Sequence, residues 1–191
     1  MADASVGQWQ VLSALTKQAL QKYSPEKFVL LGGCTGNGLE HVNPKVTKEV
    51  FCVDINPDYL EVARKRFATT LPGLRLLAAD LDRDPLNIKG ADLVMAALVL
   101  EYVDPRKIMF TIAHMLRPGG IAVFVLQQSG AQSFVSKTIF KSLEPLQGFC
   151  NELSPSQLNE MAHNFGLIQL AMEEVLLESG KKFVLADFAK P

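Results

Sequence analysis

The sequence has only three cysteines in 191 residues, Cys34, Cys52 and Cys150, with no CxxC spacing among them. An odd, scattered set argues against a disulfide framework or a zinc site and points to a reducing, cytoplasmic setting. The three histidines, His41, His114 and His163, lie far apart and near no cysteine in sequence, so no metal site is expected. An excess of one charge is also missing. The 19 Lys and Arg are set against 20 Asp and Glu, a formal net charge of -1, which leaves nothing to neutralise a phosphate backbone and disfavours a nucleic-acid partner. Long apolar runs are absent: Leu93 to Leu100 and Ile121 to Leu126 fall far short of the roughly 18 residues needed to span a bilayer. Met1 to Gln10 lacks the basic region and apolar stretch of a secretory signal.

Hydrophobic residues make up 48% of the chain, enough to bury one substantial core, so residues 1–191 are expected to form a single domain. Apolar residues at Val11, Leu12, Leu15, Ala19 and Leu20 repeat with helical spacing, and a leading helix is expected within residues 1–24. Short apolar runs at Phe28–Leu31, Val50–Val53, Leu74–Ala79, Ala91–Ala97 and Ile121–Leu126 predict five buried strands. Between them, Asn56-Pro57 and Asp104-Pro105 each combine a capping side chain with a proline at the first helical position, and Ser154-Pro155-Ser156-Gln157 adds a capping box. Strands alternating with helices imply a parallel sheet with helices on both faces. The closing runs, Leu167–Leu177 and Lys182–Phe188, predict an antiparallel hairpin. Residues 128–153 are compositionally mixed, with a helix predicted over Phe134–Leu143, and have the pattern of a lid-like insertion.

In an open parallel sheet, ligands bind beyond the carboxyl ends of the strands, where the strand order reverses. The exit of the first strand is that point, and it carries Gly32-Gly33-Cys34-Thr35-Gly36-Asn37-Gly38. A glycine-rich turn brings backbone N–H groups close to a ligand; the plainer alternative is an ordinary strand-to-helix connection. Asp54 closes the second strand about twenty residues later, where a carboxylate can accept both hydroxyls of a ribose. The plainer role for it, a helix cap, suits Asn56 better. Asp80, ending the third strand, would face an adenine amino group with Leu81 against the ring, or else is a surface acid. The series Asp80, Asp82, Asp84 imitates a calcium loop, but Pro85 and Ala91 stand where that loop needs Gly and Glu. A nicotinamide-type GxGxxG is out of register, its last glycine falling on His41.

The order and spacing of GGCTGNG at 32–38, VDINPDYLEVARKRF at 53–67, AAD at 78–80, ADLVMAALVLEYV at 91–103, LRPGG at 116–120 and LSPSQLNEMAHNFGL at 153–167 resemble the class I S-adenosylmethionine (SAM) dependent methyltransferase superfamily. The resemblance implies an α/β, Rossmann-like, doubly wound seven-stranded sheet of order 3-2-1-4-5-7-6 with strand 7 antiparallel. It implies SAM as cofactor, with Gly32, Gly36 and Gly38 against the methionine part, Asp54 as the ribose acid, Asp80 and Leu81 at the adenine, and Gly33, Cys34, Ile55 and Leu98 as further cofactor-binding residues. The chain departs from the pattern at Leu30, where many members carry an acid, and at Cys34, which replaces the middle glycine; Glu40 is a candidate to compensate. Strand four ends in Ala96-Ala97-Leu98 rather than an Asn/Asp-Pro-Pro-aromatic tetrad or a Pro-Cys pair, leaving a small-molecule acceptor as the leading class. Glu101, Tyr102 and Gln127 are candidates for orienting a nucleophile. Their plainer reading makes Glu101 a solvated acid and Tyr102 a half-buried packing residue. Trp9 would close over the site or simply cover the core. An aminopropyltransferase and a non-catalytic SAM-binding or structural partner are the competing readings.

Overall fold

A strand covered on both faces has no solvent side to mark with polar residues, so it is written as an unbroken apolar run. Phe28, Val29, Leu30 and Leu31 follow that pattern, and all are at most 4% exposed. The computed structural model, which describes residues 7–128, 153–177 and 180–191, places them in β1 (Lys27–Leu31). β2 (Glu49–Asp54), β3 (Leu74–Ala78), β4 (Ala91–Ala97) and β5 (Leu116–Gln128) follow, and β6 (Ile168–Leu176) and β7 (Lys182–Ala189) complete the sheet. The order is β3-β2-β1-β4-β5-β7-β6. β1 to β5 pair in parallel, while β7 runs antiparallel to both β5 and β6. This is the doubly wound sheet that the sequence resemblance implies, including its reversed seventh strand.

Alternate residues of each strand feed two separate cores. Val29, Leu31 and Val53 pack with Ile108, Met109 and Ile112 of α3 (Pro105–Met115) and Leu158 and Ala162 of α4 (Pro155–Asn164). Phe28, Leu30 and Cys52 face the other way, onto Leu15, Ala19 and Leu20 of α1 (Gln8–Tyr23) and Leu60 and Phe67 of α2 (Pro57–Phe67). The cap signals hold. Asn56 accepts the amides of Asp58 and Tyr59, Asp104 those of Arg106 and Lys107, and Ser154 with Gln157 forms the full capping box. Each such cap contributes about 1 kcal/mol.

β5 departs from expectation. The strand predicted over Ile121–Leu126 starts earlier, at Leu116, directly after α3. Pro118-Gly119-Gly120 are absorbed as an irregularity: Ala91 pairs with Leu116, and regular pairing resumes only at Leu93 with Ile121. Gly119 donates to the Lys190 carbonyl and Lys190 to the Gly120 carbonyl, so the irregular stretch finds its hydrogen bonds beyond β7. The predicted helix over 134–143 lies outside the described residues, as does nearly all of the 128–153 insertion.

The end of α1 is fastened to β7. Lys22 Nζ and Tyr23 Oη both donate to Asp187 Oδ2, at 2.7 and 2.5 Å. This tie fixes the helix whose other end reaches the strand carboxyl ends.

Candidate functional site

β1 to β5 present their carboxyl ends on one edge, and the chain there is tied together by hydrogen bonds between segments distant in sequence. The glycine turn leaves β1 with φ of 65° at Gly32 and returns through 93° at Gly38. A Cβ at Gly32 would lie 2.5 Å from Val99 Cγ2, and one at Gly38 would lie 2.6 Å from Thr16 Cγ2. The turn therefore needs glycine both for its backbone and for its close neighbours, Val99 after β4 and Thr16 of α1. Cys34 also has a positive φ, 46°, a conformation that costs an L-residue about 1–2 kcal/mol. Glycine, which the sequence resemblance implies at this position, takes that conformation without the penalty.

Two carboxylates hold the turn. Asp54 Oδ2 accepts the Cys34 amide at 2.8 Å and Oδ1 the Asn56 amide at 2.9 Å. Glu40, in a short 3-10 helix (Leu39–His41), accepts the Gly38 amide at 2.9 Å and the Ser13 hydroxyl at 2.6 Å. Burial works to raise the Glu40 carboxyl, but the hydrogen bonds from Ser13, its own amide and the Gly38 amide, with the His41 charge, together outweigh it and the net shift is downward. Leu30, by contrast, is buried against the α1/α2 core, and the acids holding the turn come from positions 40 and 54. The Cys34 thiol is pushed up to about 12, first by burial and then by the Asp54 charge.

The remaining predicted residues separate into those within this cluster and those at its rim. Asp80, at the end of β3, is turned into local structure, accepting the Asp82 amide at 2.9 Å and facing Arg83 at 3.5 Å. Leu81 is partly buried against the α3/α4 core. Ile55 is 67% exposed beside Asp54. Leu98 has a φ of 55° and donates its amide to Val125 of β5 at 2.8 Å.

Glu101 departs from its plainer reading as a solvated acid. Tyr102 is 42% exposed, while Glu101 is 1% exposed, because the turn that places Val99 against Gly32 carries Glu101 inward to β5. Its Oε1 accepts the Gln127 amide at 2.8 Å. Its Oε2 is buried with no hydrogen-bond partner among the described residues. Burial raises the carboxyl from 4.5 to about 7, against the Gln127 and Glu101 amides, which lower it.

The first turn of α1 bridges the two sides of this edge. Gln8 Nε2 donates to Gln127 Oε1 at 3.0 Å, and Asn37 of the glycine turn donates to the Trp9 carbonyl at 3.1 Å. It is thus the backbone of Trp9 that joins the site, with its side chain 43% exposed. Gln8 and Ser13 are not singled out by the sequence, whereas Glu40 is, and Asn37 stands within the glycine turn. The available signal was the presence of Ser13 and Thr16, both buried, on the apolar side of α1. A hollow of about 280 Å³ between α2 and β3, lined by Arg64, Leu71 and Arg75 among others, lies at the start of β3 and takes no part in this edge.

A family model described as a methyltransferase domain matches residues 29–124. Among curated proteins, the chain is 30% identical over 115 residues to a malonyl-[acyl-carrier protein] O-methyltransferase of Marinomonas sp. (strain MWYL1), a match covering 58% of this chain and 41% of that protein. The chain thus spans well under half of that relative's length. Its fold is similar to the N-methyltransferase NodS from Bradyrhizobium japonicum WM9 in complex with S-adenosylhomocysteine, with a TM-score of 0.73, 16% identity and coverage of 100% of this chain and 89% of that one. A SAM-dependent methyltransferase from Mesorhizobium loti gives 0.72 at 20% identity, covering 90% and 96%. The [4+2]-cyclase SpnF gives 0.74 at 14% identity, covering 95% and 82%, so the fold by itself does not name a reaction. With half of its length matched by the family model and its seven strands in the order 3-2-1-4-5-7-6, the chain belongs to the methyltransferase domain family and has the class I fold.

Proposed function

We propose that the chain is a SAM-dependent methyltransferase acting on a small-molecule acceptor. The observation that carries this reading is the convergence of the Asp54 carboxylate on the Cys34 amide of the glycine turn. An ionised carboxylate offers about four acceptor directions, and two backbone amides use two of them. Enough capacity remains for the two hydroxyls of a ribose, and Ile55 supplies exposed apolar surface beside it. Gly32, Gly33, Cys34, Gly36 and Gly38 would hold the methionine part, Asp80 and Leu81 the adenine end, and Leu98 the side of the cofactor facing β4.

When bound, SAM supplies a methyl group on a sulfonium, a leaving group that needs no metal. The protein's task is alignment, since positioning nucleophile and methyl carbon in line provides much of the rate. The ties among Gly32, Val99, Glu101, Gln127 and Gln8 give that edge a fixed frame. Strand four's Ala96-Ala97-Leu98 ending supports a small acceptor over a nucleobase. Titration calorimetry with SAM and S-adenosylhomocysteine tests the reading: binding of both is expected, and no heat at millimolar ligand would defeat it.

One observation favours the competing reading of a non-catalytic partner. The missing Cβ atoms of Gly32 and Gly38 are already opposed by Val99 and Thr16, so the turn's glycines have reasons within the protein itself. Binding of SAM without turnover on a broad acceptor panel would favour that reading.

A further inference from the structure

Outside the turn and Asp54, the most unusual group on the carboxyl edge is Glu101. A carboxylate 1% exposed is costly unless paired, yet among the described residues only one of its oxygens is engaged, by the Gln127 amide, and the other has no partner. Burial and the two amides are what move its ionisation; no cationic side chain contributes. The group also sits two residues beyond Val99, which touches the glycine turn, and against the end of β5, where Gln127 meets Gln8.

We infer that Glu101 Oε2 is the acceptor-side anchor for an amine, taking a hydrogen bond from the nitrogen that receives the methyl group. This rests on the methyltransferase reading above. An amine or ammonium supplies the N–H donor that this oxygen lacks. A carboxylate acceptor would bring a second anion to a group whose charge no cationic side chain among the described residues offsets. The chemistry balances: the nitrogen lone pair forms the N–C bond, the C–S bond breaks with its electrons passing to sulfur, S-adenosylhomocysteine leaves neutral, and the nitrogen's proton passes to Oε2. A carboxyl whose ionisation is centred near neutrality is suited to that transfer.

The test uses the full chain, radiolabelled SAM, and matched panels of primary and secondary alkyl, arylalkyl and polyamines on one side and carboxylic acids and phenols on the other. Wild type is expected to label an amine, and Glu101→Gln to lose at least a hundredfold in kcat/KM while keeping SAM affinity within twofold. The limb of the kcat/KM profile that rises through about pH 7 should vanish in the variant. Independently of turnover, the labelled amine should raise the Tm of the wild-type S-adenosylhomocysteine complex but not that of the variant. Labelling of carboxylic acids or phenols alone, equal amine methylation by both proteins, or an unchanged pH profile would overturn the assignment, as would no labelled amine while SAM still binds. Failure to bind SAM would instead remove the methyltransferase reading beneath it.

Discussion

Asp54 Oδ2 accepts the amide of Cys34 at 2.8 Å, joining the end of β2 to the middle of the glycine turn at a residue with φ of 46°. The bond compensates for an unfavourable backbone conformation with a charge-assisted contact. It also leaves the carboxylate aimed into the turn, where a ribose would lie.

For Asp54→Ala, SAM affinity is therefore expected to fall at least tenfold, or about 1.4 kcal/mol, as loss of a charged hydrogen bond implies. Calorimetry on the folded variant measures it. Equal affinity would show that Asp54 serves only the turn.

Much of this arrangement was legible in the sequence. The apolar runs gave the strands because both faces are buried, and Asn56, Asp104 and Ser154 marked helix starts because a capping side chain acts locally. Local rules failed where the partner is remote. The Pro118-Gly119-Gly120 segment looks like a turn until Lys190 supplies its hydrogen bonds. Glu101 looks like a solvated acid because nothing in LVLEYV announces that β5 will offer it the Gln127 amide. Glu40 was visible as an acid near the turn, but its bond to Ser13 spans 27 residues, a distance that sequence spacing does not encode.

Glu40 provides the second prediction. Its carboxylate joins the Gly38 amide to Ser13 on α1, so Glu40→Ala releases the far end of the turn from the helix. SAM affinity should fall several-fold, with Glu40→Gln closer to wild type because an amide oxygen can still accept one of the two bonds. An unchanged affinity in Glu40→Ala would show that Asp54 organises the turn without it.

The tie between α1 and β7 is predicted to matter for stability rather than binding. Asp187 is 4% exposed and its Oδ2 accepts from both Lys22 and Tyr23. Burial raises the Tyr23 phenol, and the Asp187 bond raises it further, so the hydroxyl stays a donor throughout the physiological range. Asp187→Ala strands that hydroxyl and is expected to cost about 1–3 kcal/mol. Tyr23→Phe removes one donor and should cost about 1 kcal/mol. Urea denaturation separates the two; equal stability of wild type and Asp187→Ala would mean the helix end is held by packing alone.

The buried carboxyl at 101 makes a prediction about pH. Its folded value is raised from 4.5 to about 7, chiefly by burial, so between these values the native protein keeps a proton that the unfolded chain has released. Stability from this group is complete below about pH 4.5, declines as pH rises, and levels off above about pH 7 after a loss of about 3 kcal/mol. In Glu101→Gln the side chain carries no charge to desolvate, and this decline should disappear. The amide leaves its own NH2 group facing the place where Oε2 had no partner, which lowers stability by a similar amount at every pH. The absolute stability of the variant is thus a poor guide, and the slope is the diagnostic quantity. Guanidinium titrations of both proteins at pH 5 and pH 8 measure it, and parallel losses in the two would show that Glu101 ionises in the fold as it does in the unfolded chain.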